Sequence, residues 1–160
     1  VNLSPSQLVD DRALELLVNQ LEIHKVSPNR IELEITETTL ITNFKQAKAW
    51  IEMAASIGFR VAIDDFGAGY SSLSYLASFN YNTVKLDRSL LDKIDVDTRQ
   101  QRIVGSLTQM IHSFSVPVVA EGAETQEQFE QLGKLGCDFI QGYFISKPII
   151  HVSYTLFRAH

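Results

Sequence analysis

With one cysteine in 160 residues, Cys137, the chain cannot form an internal disulfide. Cys137 opens an apolar segment and reads as a buried structural thiol rather than a nucleophile. That usage is compatible with a reducing cytoplasm, the expected location of the domain, although a parent protein could be anchored in a membrane elsewhere. No apolar run is long enough to span a bilayer, and the N-terminus shows no signal-peptide pattern. Positive charge is scarce: 14 Lys and Arg against 19 Asp and Glu leave a net charge of −5, with no basic cluster. This argues against DNA as a partner, because a phosphate-backbone binder needs a basic surface. An anionic substrate would have to be held mainly by metal or by local dipoles. The four histidines, His24, His112, His151 and His160, lie away from the ends of the expected strands, so a zinc site is not indicated. No linker, repeat or low-complexity segment interrupts the chain, and 45% hydrophobic with 21% charged residues suits one globular domain with a substantial core.

What is present is an alternation of strand and helix. Strands are expected at 31–35, 60–63, 83–86, 116–120 and 139–140, each β-branched or apolar, with a strand stump at Val1-Asn2-Leu3. Between them lie helical patterns. One carries Leu14, Leu17, Val18 and Leu21 on one face. One covers 44–57, with Asn43 as N-cap and Gly58 as stop. A short helix is expected over 72–79, and a longer one over 98–114 with Ile103, Leu107, Met110 and Ile111 as its apolar stripe. Another follows over 125–135, where Thr125 and Gln128 form a capping-box pair, and the tail from about Ile150 is expected to be helical. About six strands with helical crossovers call for a parallel sheet, either doubly wound and open or closed as a (β/α)8 barrel.

The most telling stretch is Asp64-Asp65-Phe66-Gly67, at the junction between an apolar strand and a small-residue loop. Two adjacent carboxylates repel, so one must take a proton or a cation must lie close. The other strands follow suit. Asn2, Glu34, Lys85 with Asp87, Glu121 with Glu124, and Gln141 all fall at or near a strand's C-terminal end. In a parallel α/β protein those ends share one face, where scattered residues converge on a mouth. Carboxylates with an amide are hard oxygen donors suited to Mg2+ or Mn2+. A carboxylate-lined site with room for two such cations suits in-line displacement at phosphorus, and one lysine among the acids could orient or help deprotonate an attacking water.

These residues, taken in order, resemble the EAL domain, the bacterial phosphodiesterase domain that hydrolyses cyclic di-GMP to linear pGpG. The resemblance is carried by Asn2-Leu3-Ser4, Glu34-Ile35-Thr36-Glu37, the run from Asp64 to Leu73, Lys85-Leu86-Asp87, Glu121-Gly122-Ala123-Glu124, and Gln141-Gly142-Tyr143-Phe144 with Pro148. It implies a (β/α)8 barrel of TIM type. It further implies Asn2, Glu34 and Asp64 as ligands of a first metal, with Asp64 and Asp65 holding a second. Lys85 would position the nucleophilic water, and Glu121 would act as a base or water-holding group. Gln141 and Pro148 would belong to the substrate side, and Glu37 would anchor the loop after Asp65. The Glu-Ala-Leu triplet that names the family does not occur in the chain. By resemblance it would lie upstream of Asn2, so residues 1–160 are expected to form one EAL-type domain lacking its first two β/α units.

That reading implies cyclic di-GMP as partner, and sensory or diguanylate-cyclase domains in the parent protein. It also implies open sheet edges that favour a homodimer or higher oligomer and leave the chain by itself with little activity. The competing reading is a catalytically inactive module that binds cyclic di-GMP or a protein partner.

Overall fold

Apolar residues alternate along the strands, and the side they share decides how the sheet is covered. In the computed structural model, which describes residues 1–8, 12–69 and 76–147, five strands pair side by side in sequence order, all parallel. They are β1 (Glu32–Thr36), β2 (Arg60–Phe66), β3 (Thr83–Leu86), β4 (Val118–Glu121) and β5 (Phe139–Gln141). On the far side of β1, Asn2 makes a parallel bridge to Glu34, closed by Leu3 N–H to the Glu34 carbonyl at 2.9 Å and Glu34 N–H to that of Val1 at 2.8 Å. The expected stump is therefore a pairing segment.

Leu33, Ile35, Val61, Ile63, Val84, Leu86, Val118 and Ala120 share one face by register and are all buried. Against that side pack helices α1 (Arg12–Ile23), α3 (Phe44–Ile57), α4 (Thr98–His112) and α5 (Gln126–Lys134), with the short α2 (Glu37–Thr42) entering directly from β1. The opposite face carries Glu34, Asp64, Lys85, Glu121 and Gln141. A parallel sheet with helices over its apolar face and charged residues on the other is compatible with part of an α/β barrel wall.

Local signals explain most boundaries. The capping box of α5 is present, with Thr125 and Gln128 exchanging bonds. Helix α3 begins after Asn43 and ends at Gly58 as expected, but the Asn43 side chain makes no capping bond and donates to Thr42 Oγ1 at 3.1 Å. Helix α2 was not anticipated; β1 runs on to Thr36 and the chain turns at once into it. The stripe expected on α4 is rotated: the buried residues are Val104, Thr108 and Ile111, while Ile103 is 39% exposed. The reason is that Thr108 is accepted inside, its methyl toward Gly136 and its hydroxyl 3.9 Å from Cys137 Sγ. Hydrophobicity alone does not rank a threonine as core. Of the short helix expected over 72–79, a 3-10 turn at Leu76–Ser78 is seen; residues 70–75, Pro148 and the tail lie outside the described residues. The two outer segments are open among the described residues, with Val1 58% and Phe139 61% exposed. Cys137 is buried, and desolvation pushes its thiol up, as a structural thiol should show.

Candidate active site

Register places the charged residues. Thr36 pairs Asp64, Lys85 pairs Val119, and Glu121 pairs Gln141, so Asp64, Lys85, Glu121 and Gln141 all rise from the same face. At the centre stands the Lys85 ammonium, 3.1 Å from Glu34 Oε1, 3.2 Å from Asp64 Oδ1 and 2.6 Å from Glu121 Oε1. The Lys85 side chain is only 10% exposed. Burial alone would pull its pKa down, but hydrogen bonds to Glu121 and Glu34, with the charges of Glu121 and Asp64, outweigh it and raise the value. The ammonium is thus held protonated by three carboxylates that it cannot fully neutralise. Burial pushes the Glu121 carboxyl up, Asp64 and Glu34 add to the push, and Lys85 opposes it.

The Asp64–Asp65 pair is separated by a break in the ladder. Between Ile63 and Phe66 the register with β3 gains one residue, a β-bulge. Asp65 absorbs it at φ 54°, in the left-handed region that a side chain enters at a cost of roughly 1–2 kcal/mol. The bulge leaves Asp64 buried beneath the mouth and Asp65 exposed at its rim. Desolvation raises the Asp65 pKa, followed by the charges of Asp64 and Asp87, against Lys85. This is the frustration foreseen for adjacent acids.

The loop after Asp65 is held from below. Glu37, buried at the start of α2, accepts the Gly67 N–H at 2.8 Å through Oε2. Gly67 has φ 90°, and a Cβ there would meet Leu90 Cδ1 at 2.6 Å, so a glycine is needed for this approach. Asn2 sits beside Glu34 across the bridge. Gln141 lies on the edge strand next to Glu121, and its carbonyl receives the Gly122 N–H at 2.7 Å. Asp87 does not join the cluster; it caps the following 3-10 turn through Ser89 N–H at 2.9 Å. Glu124 also turns away, to an ion pair at 2.7 Å with Arg88 that sequence reading missed. The adjacency of Arg88 to the Lys85-Leu86-Asp87 run was the available signal.

The donor set fits a hard divalent cation. Every candidate ligand offers oxygen, and Asp64 Oδ1 is shut off from solvent without a hydrogen bond, leaving only the ammonium to face it. Among the described residues no three His, Cys, Asp or Glu groups are arranged to chelate an ion by themselves, and the Lys85 ammonium stands where Glu34, Asp64 and Glu121 converge.

A parallel α/β wall with acids and one lysine at its C-terminal mouth is the architecture of part of a TIM-type barrel. Within that class the assignment is specific: residues 1–148 match the EAL domain, and the chain belongs to that family. It is 36% identical over 148 residues to the probable cyclic di-GMP phosphodiesterase PdeA of Escherichia coli, covering 92% of this chain and 20% of that protein. Its fold superposes on the cyclic di-GMP complex of the PaMucR phosphodiesterase with a TM-score of 0.89 and 32% identity, covering 96% of this chain and 62% of that one. On the manganese and cyclic di-GMP complex of Klebsiella pneumoniae BlrP1 it superposes with a TM-score of 0.84 and 35% identity, covering 89% and 37%. The chain thus spans about a fifth of the curated relatives it matches, and its fold is that of EAL barrels over part of their length. No helix among the described residues is long and apolar enough to cross a membrane.

Proposed function

We propose that the domain to which this chain contributes hydrolyses cyclic di-GMP to linear pGpG, using Mg2+ or Mn2+. The observation that carries this reading is the Lys85 ammonium at the meeting point of Glu34, Asp64 and Glu121 on one sheet face. Asn2, Glu34 and Asp64 would hold one cation, and Asp64 with Asp65 a second. Bound there, the cations would polarise the phosphoryl oxygens and make a bound water nucleophilic near neutral pH.

The chain's own residues have separable tasks. Lys85, a donor only, orients the attacking water. Its oxygen bonds to phosphorus, the ester P–O bond breaks, Glu121 accepts the water's proton, and the departing sugar oxygen takes up a proton from solvent. By the family resemblance Gln141 would belong to the substrate side, and Glu37 would anchor the loop after Asp65 through the bond it accepts from Gly67 N–H.

The 160-residue chain by itself should turn over little and should associate through its exposed outer segments, since unpaired strand edges recruit further strands. The test is turnover of cyclic di-GMP by the complete domain with Mg2+, with Mn2+ and with excess chelator, beside Asp64→Asn and Lys85→Ala. Loss on the order of 10²–10³-fold in each variant and in chelator supports the reading. Full turnover in chelator overturns the metal role. Tight binding of cyclic di-GMP without hydrolysis makes the domain a receptor instead.

A further inference from the structure

The Arg88–Glu124 pair is well made for a contact that contributes little to stability. Its oxygen and nitrogen are 2.7 Å apart, yet the two side chains are 66% and 45% exposed. Exposed pairs of this kind contribute at most about 1 kcal/mol. Each arm nevertheless stands on a firm base. Arg88 opens a 3-10 turn (Arg88–Leu91) capped by the Asp87 carboxylate. The Glu124 N–H donates at 2.8 Å to Gln128 Oε1, inside the capping box that starts α5.

Between the arms lies Gly122, with φ 91°, and the Arg88 side chain passes directly over it. A Cβ at Gly122 would sit 2.7 Å from Arg88 Cγ and 3.0 Å from its Cβ. The residue before Gly122 is Glu121, the partner of Lys85. Two ion pairs therefore tie the ends of β3 and β4 in parallel: Lys85–Glu121 inside the mouth, and Arg88–Glu124 three residues further along each chain.

We propose that Arg88 and Glu124 form a latch across Gly122 that positions Glu121 against Lys85 for catalysis. In this proposal both are positioning residues that act through Glu121, and the role rests on the phosphodiesterase reading above. A misplaced proton acceptor lowers the rate of the chemical step without weakening substrate binding.

The experiment uses the complete domain, with Arg88→Ala, Glu124→Ala, Gly122→Ala and the exchanged pair Arg88→Glu with Glu124→Arg. Turnover, KM for cyclic di-GMP, the melting temperature and amide exchange at Gly122 and Ala123 are measured for each. Expected is a fall in kcat of about ten-fold in Arg88→Ala and Glu124→Ala with KM and melting temperature unchanged, exchange at Gly122 and Ala123 several-fold faster, and recovery of both in the exchanged pair. Gly122→Ala, strained at φ 91° and pressed against Arg88, should lower kcat and the melting temperature together. Wild-type kcat in the single variants overturns the latch, as does a rise in KM alone, which would make Arg88 a substrate contact. An exchanged pair no better than the singles also overturns it. Should the unmodified domain hydrolyse no cyclic di-GMP, the functional reading fails, and amide exchange decides the latch: unchanged protection in the single variants removes it, and lost protection restored by the exchange retains it.

Discussion

The two ends of this sheet treat charge in opposite ways. At the N-terminal ends of the strands each acid has donors of its own. Glu32 accepts from Thr83 Oγ1 at 2.8 Å and faces Arg60 at 3.5 Å. Asp138 takes the Val118 N–H at 2.8 Å and His112 Nε2 at 2.7 Å. Burial works against the Asp138 carboxylate, but the Val118 and His112 bonds prevail and lower its pKa. At the C-terminal ends three carboxylates share one ammonium, an acid is held at a left-handed φ, and the pKa values of Glu121 and Asp65 are raised. The lower end spends its charges on stability. The mouth keeps an electrostatic conflict that a bound cation and a phosphate ester would resolve.

The two ends should also respond to acid with opposite signs. A carboxylate whose folded pKa is lowered stabilises the fold above its unfolded value, and that contribution fades as pH falls through the folded pKa. Asp138 is of this kind, so its contribution should be lost below about pH 3.8. Glu121 and Asp65, raised from 4.5 and 3.8, bind protons more readily folded than unfolded, so their effect on stability eases as pH falls toward those values.

The largest break in this contrast should come from Lys85→Met. It removes the only cation found among the three carboxylates in the described structure and should cost the metal-free fold about 3 kcal/mol, read by urea denaturation. Added Mn2+ should restore part of that loss, and a variant as stable as the parent chain would show that the mouth is not strained. Glu37→Gln keeps the shape but removes the charge that receives Gly67 N–H. The loop should open more easily by about 1.4 kcal/mol, a ten-fold faster amide exchange at Gly67, and unchanged exchange would deny Glu37 its anchoring role.

At the opposite end, Asp138→Asn should cost under about 1 kcal/mol near neutrality, because the side chain is 38% exposed. It should also flatten the fall in stability on the acid side of pH 4, and an acid limb identical to that of the parent chain would assign the linkage elsewhere. Arg60→Ala is the smallest test. With Arg60 and Glu32 48% and 31% exposed and 3.5 Å apart, melting should shift by no more than a degree or two, about 0.3 kcal/mol. A larger loss would mean that the lower end, too, depends on shared charge.

How far the chain could be read in advance follows the range of the interactions involved. Helix α3 and strand β3 fall where periodicity, Gly58 and the β-branched run put them, and the capping box of α5 joins the residues that announce it. These signals lie within a few residues of one another. The gathering of Glu34, Asp64, Lys85 and Glu121 was also legible, because parallel strands place their C-terminal ends on one side whatever their order. Hydropathy misplaced the buried stripe of α4, since Thr108 is buried only by packing on Gly136 and meeting Cys137, which follow α5.

Composition, period and the order of its acids were enough for the chain to determine an α/β wall, its helix-covered side and the chemistry of its mouth. Only the tertiary structure decided that Lys85 is the point on which three acids close, that a bulge at Asp65 divides the adjacent carboxylates, and that Arg88 crosses Gly122 to reach Glu124. The physical reason is separation along the chain. A cap or a period is set by neighbours a turn apart, whereas an ion pair between strands depends on register and side-chain path, which exist only once the strands have paired.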